Sequence, residues 1–205
     1  MLEKPQRMPT PAAIVKRTDA NRAHVPSLGL SFRKDRLAPS LWRPIADFFT
    51  AHLRDFQPEP ANEHVKTTDS SGFPSLLYKD EAYNRELLLA CQHLHEQWAG
   101  RPLRPAAAYG IRCYQRGSYL HEHIDQIGTH VVSSTICVGH ALDSPWPLCI
   151  EDSEGKSHEI DMAAGDILFF EGAHFRHGRP FALDGAWFAN LYLHYTPLDW
   201  QAAPA

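Results

Sequence analysis

"GDILFFEGAHFRHGRPFALDGAWFANLYLHY", residues 165–195, decides the fold of this 205-residue chain. It leaves a Gly-Asp turn, crosses a histidine-rich stretch, turns again at Asp184-Gly185 and ends in a strictly alternating run. In that run Trp187, Ala189, Leu191 and Leu193 fall on one side, and Phe188, Asn190, Tyr192 and His194 on the other. A period of two belongs to a β-strand. Asp-Gly is a strong two-residue hairpin signal. Pairing outward from it sets Phe181 opposite Phe188, Arg179 opposite Asn190 and His177 opposite Tyr192. One face then carries His177, Arg179, Asn190, Tyr192 and His194, and is expected to line a barrel interior, where buried polar groups need partners. The apolar face is expected to pack on helices. Pro180 cannot donate to a ladder, and a bulge there would shift the register.

Upstream, from about residue 105, the same texture holds. "AAYGIRCY", "SYLHEHI", "HVVSSTICVG", "PLCIED", "SHEIDM", "DILFFEG", "FRHGRPFA" and "WFANLYLHY" make eight short β-rich runs, broken at Asp152–Gly155, Ala164–Asp166 and Asp184-Gly185. That spacing predicts a mainly β fold, a jelly roll or barrel, with a core over 105–196. Helical support is expected over 38–100. "SLWRPIADFFTAHL" starts at Ser40 as a cap, and "DEAYNRELLLACQHLHEQWAG" runs from Asp80 to Gly100, with Leu87, Leu88, Cys91, Leu94 and Trp98 at helical spacing. Residues 28–205 read as a single domain, and 1–27 as a loosely packed arm. The polar, Pro- and Gly-punctuated stretch between the helices, 57–76, is expected to be a lid.

A net charge of −4 and the lack of a Lys/Arg block argue against nucleic acid as a partner. Four scattered cysteines make neither a disulfide framework nor a zinc ribbon. With no secretory leader and no long apolar run, the expected setting is cytoplasmic, without membrane contact.

"GSYLHEHIDQIGTH", residues 117–130, concentrates metal-ligating side chains. His123-Ile124-Asp125 can aim an imidazole and a carboxylate to one side, and a distant histidine would complete a 2-His-1-carboxylate face with open positions for iron. The spacing alone is weak: 13 His and 24 acidic residues in 205 give roughly 1.5 such pairs by chance. His121-Glu122-His123 is also an H-x-H pair, which with His174 in "GDILFFEGAH" would suit a cupin-type metalloenzyme.

"CYQRGSYLHEHID" and the 165–195 stretch together resemble the 2-oxoglutarate/Fe(II)-dependent dioxygenases, particularly their prolyl-4-hydroxylase-like branch, over roughly residues 107–196. The resemblance implies a double-stranded β-helix with N-terminal helices packed on one sheet. It also implies an oxygenase using Fe(II), 2-oxoglutarate and O₂ to hydroxylate an unactivated C–H bond, releasing succinate and CO₂. His123, Asp125 and His177 would be the iron ligands, and Tyr114 would contact the far carboxylate of 2-oxoglutarate. Where the family has a basic residue nine or ten positions past the distal histidine, this chain holds Ala186 and Trp187. Arg179 is the substitute, with Arg112 in reserve, because a guanidinium fork suits a carboxylate. Asn190, Ser133 and Thr135 could add hydrogen bonds to it. The cupin set His121, His123 and His174, and a jelly-roll binding module without turnover, are the competing readings. The substrate, a small molecule or an amino-acid or peptidyl group, is left open.

Overall fold

In a computed structural model, residues 6–70 and 72–201 are described. Three helices, α1 (Ala12–Arg22), α2 (Pro39–Ala51) and α3 (Glu81–Ala99), accompany twelve strands. The strands are β1 (Phe32–Arg36), β2 (Gln57–Glu59), β3 (Val65–Thr67), β4 (Ser75–Tyr78), β5 (Leu103–Gln115), β6 (Ser118–His123), β7 (Val132–Leu142), β8 (Leu148–Glu151), β9 (Ser157–Ile160), β10 (Asp166–Phe170), β11 (His177–Arg179) and β12 (Gly185–Pro197). They form two antiparallel sheets in the orders β1-β10-β7-β12-β5-β4-β2 and β3-β6-β11-β8-β9. This is a jelly roll, and β5–β12 coincide with the eight runs legible in the sequence.

Between the sheets lies one apolar cluster that includes Tyr114, Leu120, Trp146, Phe170 and Phe188. A second packs the outer face of the larger sheet on α2 and α3, joining Ile45, Phe49, Leu87, Leu88 and Cys91 to Ile111, Ile136, Leu191 and Leu193. Leu191 and Leu193 are fully buried, and each such side chain contributes about 1.5–3 kcal/mol. The two faces expected of 187–194 are therefore the two faces found.

The expected hairpin is not. β12 pairs with β5 and β7 in the larger sheet, while β11 pairs with β6 and β8 in the smaller one. Residues 180–184 carry the chain from one sheet to the other. The alternation survives because it follows from the pleat of β12 itself and not from its partner.

Ser40 is not a cap. The helix starts at Pro39, a residue favoured at a first helical position, and no side chain caps it. For α3 the expected ends hold: Asp80 accepts a hydrogen bond from the Tyr83 amide, and Gly100 takes the left-handed conformation at φ 64°. In place of a loose arm, residues 12–22 form α1, tied down by ion pairs Arg17–Glu63, Arg22–Glu151 and Asp19–Arg176; residues 1–5 of that expectation lie outside the described residues. The 57–76 segment contributes β2 and β3, the edge strands of the two sheets, and the start of β4, which lies between β2 and β5. All four cysteines are buried and free.

His95 joins α3 to the larger sheet, its Nδ1 donating to Cys91 O at 2.7 Å and its Nε2 lying 2.8 Å from Ser134 Oγ. Burial pushes it down to about 4. A base with a lowered folded-state value leaves stability intact above pH 6.5, and stability falls as the unfolded chain takes up the proton between pH 6.5 and about 4. We expect a loss of about 3 kcal/mol across that window from this residue. In urea melts at successive pH values, His95→Gln should flatten the slope by that amount.

Candidate metal centre

His177 on β11 stands directly opposite His123 on β6. Asp125, just past the end of β6, is fixed by its amide donating to Gly172 O at 2.8 Å. Its Oδ1 lies 3.6 Å from His123 Nε2 and 3.5 Å from His177 Nε2. The ligating atoms of the three residues lie within 4.8 Å of one another, the one such group of three or more His, Cys, Asp or Glu among the described residues. Each imidazole is oriented from behind: His123 Nδ1 donates to His121 O at 2.7 Å, and His177 Nδ1 donates to Phe175 O at 2.9 Å. A carbonyl only accepts, so the Nε2 lone pairs face the carboxylate. Two such lone pairs and a carboxylate oxygen make a donor set that fits a ferrous ion and leaves open positions.

The electrostatics point the same way. Burial alone would raise Asp125, yet His177 and His123 beside it hold it well below the ordinary carboxylate range. Burial would lower His177, but Asp125 raises it instead. Positive charge between this carboxylate and the imidazoles is thus favoured, whether a proton on Nε2 or a cation in its place supplies it.

Gly172 makes room for it. A Cβ there would overlap Asp125 Oδ2 and Ser133 Oγ. Ser133 is not on the cavity surface. Its hydroxyl reaches Asp125 Oδ2 at 3.4 Å and His194 Nδ1 at 2.8 Å, so it supports the carboxylate rather than a cosubstrate.

A cavity of about 310 Å³ opens over the three residues, lined also by Tyr114, Thr135, Tyr192, Arg112 and His194. The Tyr114 and Tyr192 hydroxyls are 2.9 Å apart, and Asn190 Nδ2 donates to Tyr192 at 3.2 Å. Arg179 and Asn190 do not line the cavity; both are fully buried behind these tyrosines. The Arg179 guanidinium is clamped between Trp146 and Phe188, 4.6 and 4.3 Å from their ring centres, and donates to Trp146 O. No carboxylate pairs with it among the described residues, and burial pulls its charged form down. Arg179 Nε, Thr135 Oγ1 and Asn190 Oδ1 are buried without hydrogen-bond partners. This is an anion-deficient corner that suits a ligand carboxylate. Arg112 is different: its Nε and Nη2 donate to Glu59 at 2.6 and 2.7 Å.

The cupin set does not assemble. One residue of β11 separates His177 from Arg179, but two residues of β6 separate their partners His123 and Leu120, so β6 carries an extra residue there. Leu120 and His123 both reach the cavity and His121 does not. His174 Nδ1 donates to Val25 O at 2.8 Å.

Several cavity residues went unrecognised in the sequence. His64, on the segment leading into β3, stacks on His123 at 4.3 Å and is pushed down to about 4 by burial and His123. His130 stacks on His194 at 3.8 Å, and Tyr109 Oη lies 2.8 Å from His130 Nε2. Burial pushes His194 down to about 3. Of these, only His194 carried a signal, its place on the polar side of the last strand.

No protein-family model and no curated protein sequence matches the chain. Solved structures do. A Pseudomonas putida prolyl-4-hydroxylase superposes with a TM-score of 0.56 at 16% identity, over 91% of this chain and 98% of that one. A Trichoplax adhaerens prolyl hydroxylase, solved with a hypoxia inducible factor peptide, gives 0.60 at 13% identity over 93% and 98%. HygX from Streptomyces hygroscopicus, solved with nickel, 2-oxoglutarate and hygromycin B, gives 0.55 at 12% over 95% and 90%. The chain shares its fold with these oxygenases.

Four substitutions test the centre. Asp125→Ala should weaken Mn(II) binding, followed by electron paramagnetic resonance, by at least about 10-fold, whereas His121→Ala and His174→Ala should leave it intact. Gly172→Ala should displace the Asp125 carboxylate and lose the metal while the far-UV circular dichroism is kept.

Proposed function

We propose that this chain is a 2-oxoglutarate- and Fe(II)-dependent oxygenase that hydroxylates an unactivated C–H bond. The observation that carries this is the convergence of His123, Asp125 and His177 inside a jelly roll, in front of a buried arginine that lacks an anion. Bound there, iron and 2-oxoglutarate supply the oxidation, with O₂ consumed and succinate and CO₂ released.

The chain's own residues do the rest. His123, Asp125 and His177 hold the ion by one face. The hydroxyls of Tyr114, Tyr192 and Thr135 meet the far carboxylate of 2-oxoglutarate at the inner end of the cavity. Arg179 supplies positive charge from behind them, with Asn190 fixing Tyr192. In a water-poor interior that charge acts at low effective dielectric, and so counts for more than it would at the surface. Arg112 is already neutralised by Glu59 and is the weaker candidate. The segment leading into β3, with Asn62, His64 and Val65 on the cavity lining, serves as the lid that excludes water. The fold's other members act on unlike molecules, so substrate identity does not follow from the fold. A reducing, cytoplasmic setting belongs to this reading, in keeping with four unpaired cysteines.

Anaerobic addition of Fe(II) and 2-oxoglutarate should produce a weak visible charge-transfer band, and its absence would refute the assignment. Titrating that band, Arg179→Gln should weaken 2-oxoglutarate by about 10- to 100-fold, the equivalent of a hydrogen bond to a charged group. Arg112→Gln should change it by no more than about threefold. The opposite ranking would move the carboxylate seat to Arg112.

A further inference from the structure

The outer half of the same cavity has a composition that narrows what enters it. Beyond the three proposed ligands, its polar groups are Asn62, His64, Tyr109, Gln126, His130 and His194. These are hydrogen-bonding side chains with no Lys, Arg, Asp or Glu among them, and several are held in place. Asn62 Oδ1 accepts from the amides of His64 and Val65, both at 2.9 Å, which leaves its Nδ2 free. His130 is fixed from both sides, by Thr129 Oγ1 at 2.7 Å and Tyr109 Oη at 2.8 Å. His194 Nδ1 is taken by Ser133, leaving Nε2 toward the cavity.

Charge is missing. Among the described residues the only Lys, Arg, Asp or Glu side chains on the lining are Asp125, which belongs to the candidate metal centre, and Arg112, which Glu59 binds through two hydrogen bonds. A free amino acid would bury an ammonium and a carboxylate with no counter-charges, at a cost of several kcal/mol per ion. A phosphorylated molecule would fare worse. Val65, Leu120, Ile124, Leu148 and Phe170 also line the cavity, but a purely aliphatic chain would bury the hydrogen-bonding groups beside them without partners. Space is limited too: about 310 Å³ lies at the low end of ligand pockets and has to hold 2-oxoglutarate as well.

Resting on the oxygenase reading above, we infer that the substrate inserts a neutral, polyhydroxylated ring, of the cyclitol or sugar type, against Asn62, Tyr109, Gln126 and His194, with His130 holding the Tyr109 hydroxyl in place. Ring hydroxyls both donate and accept, which matches a wall of amides, a phenol and an imidazole. Discrimination by hydrogen bonds is also strong in the required sense, since an analogue lacking the hydroxyls leaves buried polar groups unpaired.

The test uses the full-length protein with Fe(II) and 2-oxoglutarate, and first asks for the anaerobic charge-transfer band. No band defeats the oxygenase reading itself, and this inference with it. With the band present, succinate release is compared across myo-inositol and neutral methyl pyranosides, free amino acids, an acetylated prolyl peptide and medium-chain fatty acids. Binding of the same compounds is followed by saturation-transfer NMR on the protein loaded with Zn(II) and 2-oxoglutarate, which does not turn over. We expect the neutral polyols to bind and to stimulate succinate release most. Preference for any other class, or no binding by the polyols, overturns the inference while leaving the oxygenase reading standing. Tyr109→Phe and Gln126→Leu should each weaken polyol binding about five- to tenfold, with the band titration for 2-oxoglutarate unchanged. Equal weakening of both ligands, or of neither, counts against it.

Discussion

A carboxylate buried between two imidazoles sets the terms for the interior of this protein. Asp125 is held down by His177 and His123 beside it, and those rings are in turn aimed by the main-chain carbonyls of Phe175 and His121. An ionised carboxylate with no such company would be expensive to bury. The site therefore needs two neighbouring strands of the smaller sheet at once: β6 and the turn after it bring His123 and Asp125, β11 brings His177, and the register that puts His177 opposite His123 brings them together. Gly172 then closes the arrangement by having no side chain where the carboxylate and Ser133 meet.

Arg179 presents the opposite electrostatic problem two residues farther along the same strand. Its guanidinium is wholly buried, partnered by aromatic faces, a carbonyl and a thioether, and by no anion. Cation–π contacts of this kind are worth about 2 kcal/mol when desolvated, less than the several kcal/mol a buried ion costs. The protein tolerates the deficit, and a bound anion would remove it. Asp125 and Arg179 are thus complementary: one awaits a cation, the other an anion. Between them lies the cavity, with two tyrosine hydroxyls at its inner end.

The parts of this arrangement that were legible in the sequence are those governed by local chemistry. Alternation along 187–194 identified the two faces of β12, and Asp80 and Gly100 marked the ends of α3 because a cap and a left-handed stop are single-residue properties. The H-x-D pair and the distal His177 were readable as a set. What was not readable depended on partners far away in the chain. Asp184-Gly185 looks like a hairpin, but whether two strands pair is decided by the sheets they join, and here they join different ones. The extra residue in β6 that turns His121 out of the cavity leaves no trace in composition. Short edge strands such as β1, mostly exposed, have no apolar rhythm to detect, and α1 buries only Ile14 and Thr18. His64 and His130 come from loops and Tyr109 from the middle of β5, and nothing local marks them as neighbours.

The N-terminal segment shows why position in the sequence is a poor guide to involvement in the site. Its ion pairs are largely exposed, and surface pairs contribute about 0–1 kcal/mol each, so they do not by themselves explain why it packs. Glu171 does more. Fully buried, its carboxylate accepts from the amides of Leu28, Leu30 and Ser31 and from the Ser27 hydroxyl, tying the stretch ahead of β1 to the end of β10. The next residue is Gly172, whose carbonyl holds the Asp125 amide and whose missing side chain admits the carboxylate. Two adjacent residues thus anchor the arm with one and the metal centre with the other. A displacement of the arm that pulled on Glu171 would act on Asp125 through a single peptide unit, which makes the N-terminal segment a structural part of the centre although it supplies no ligand to it.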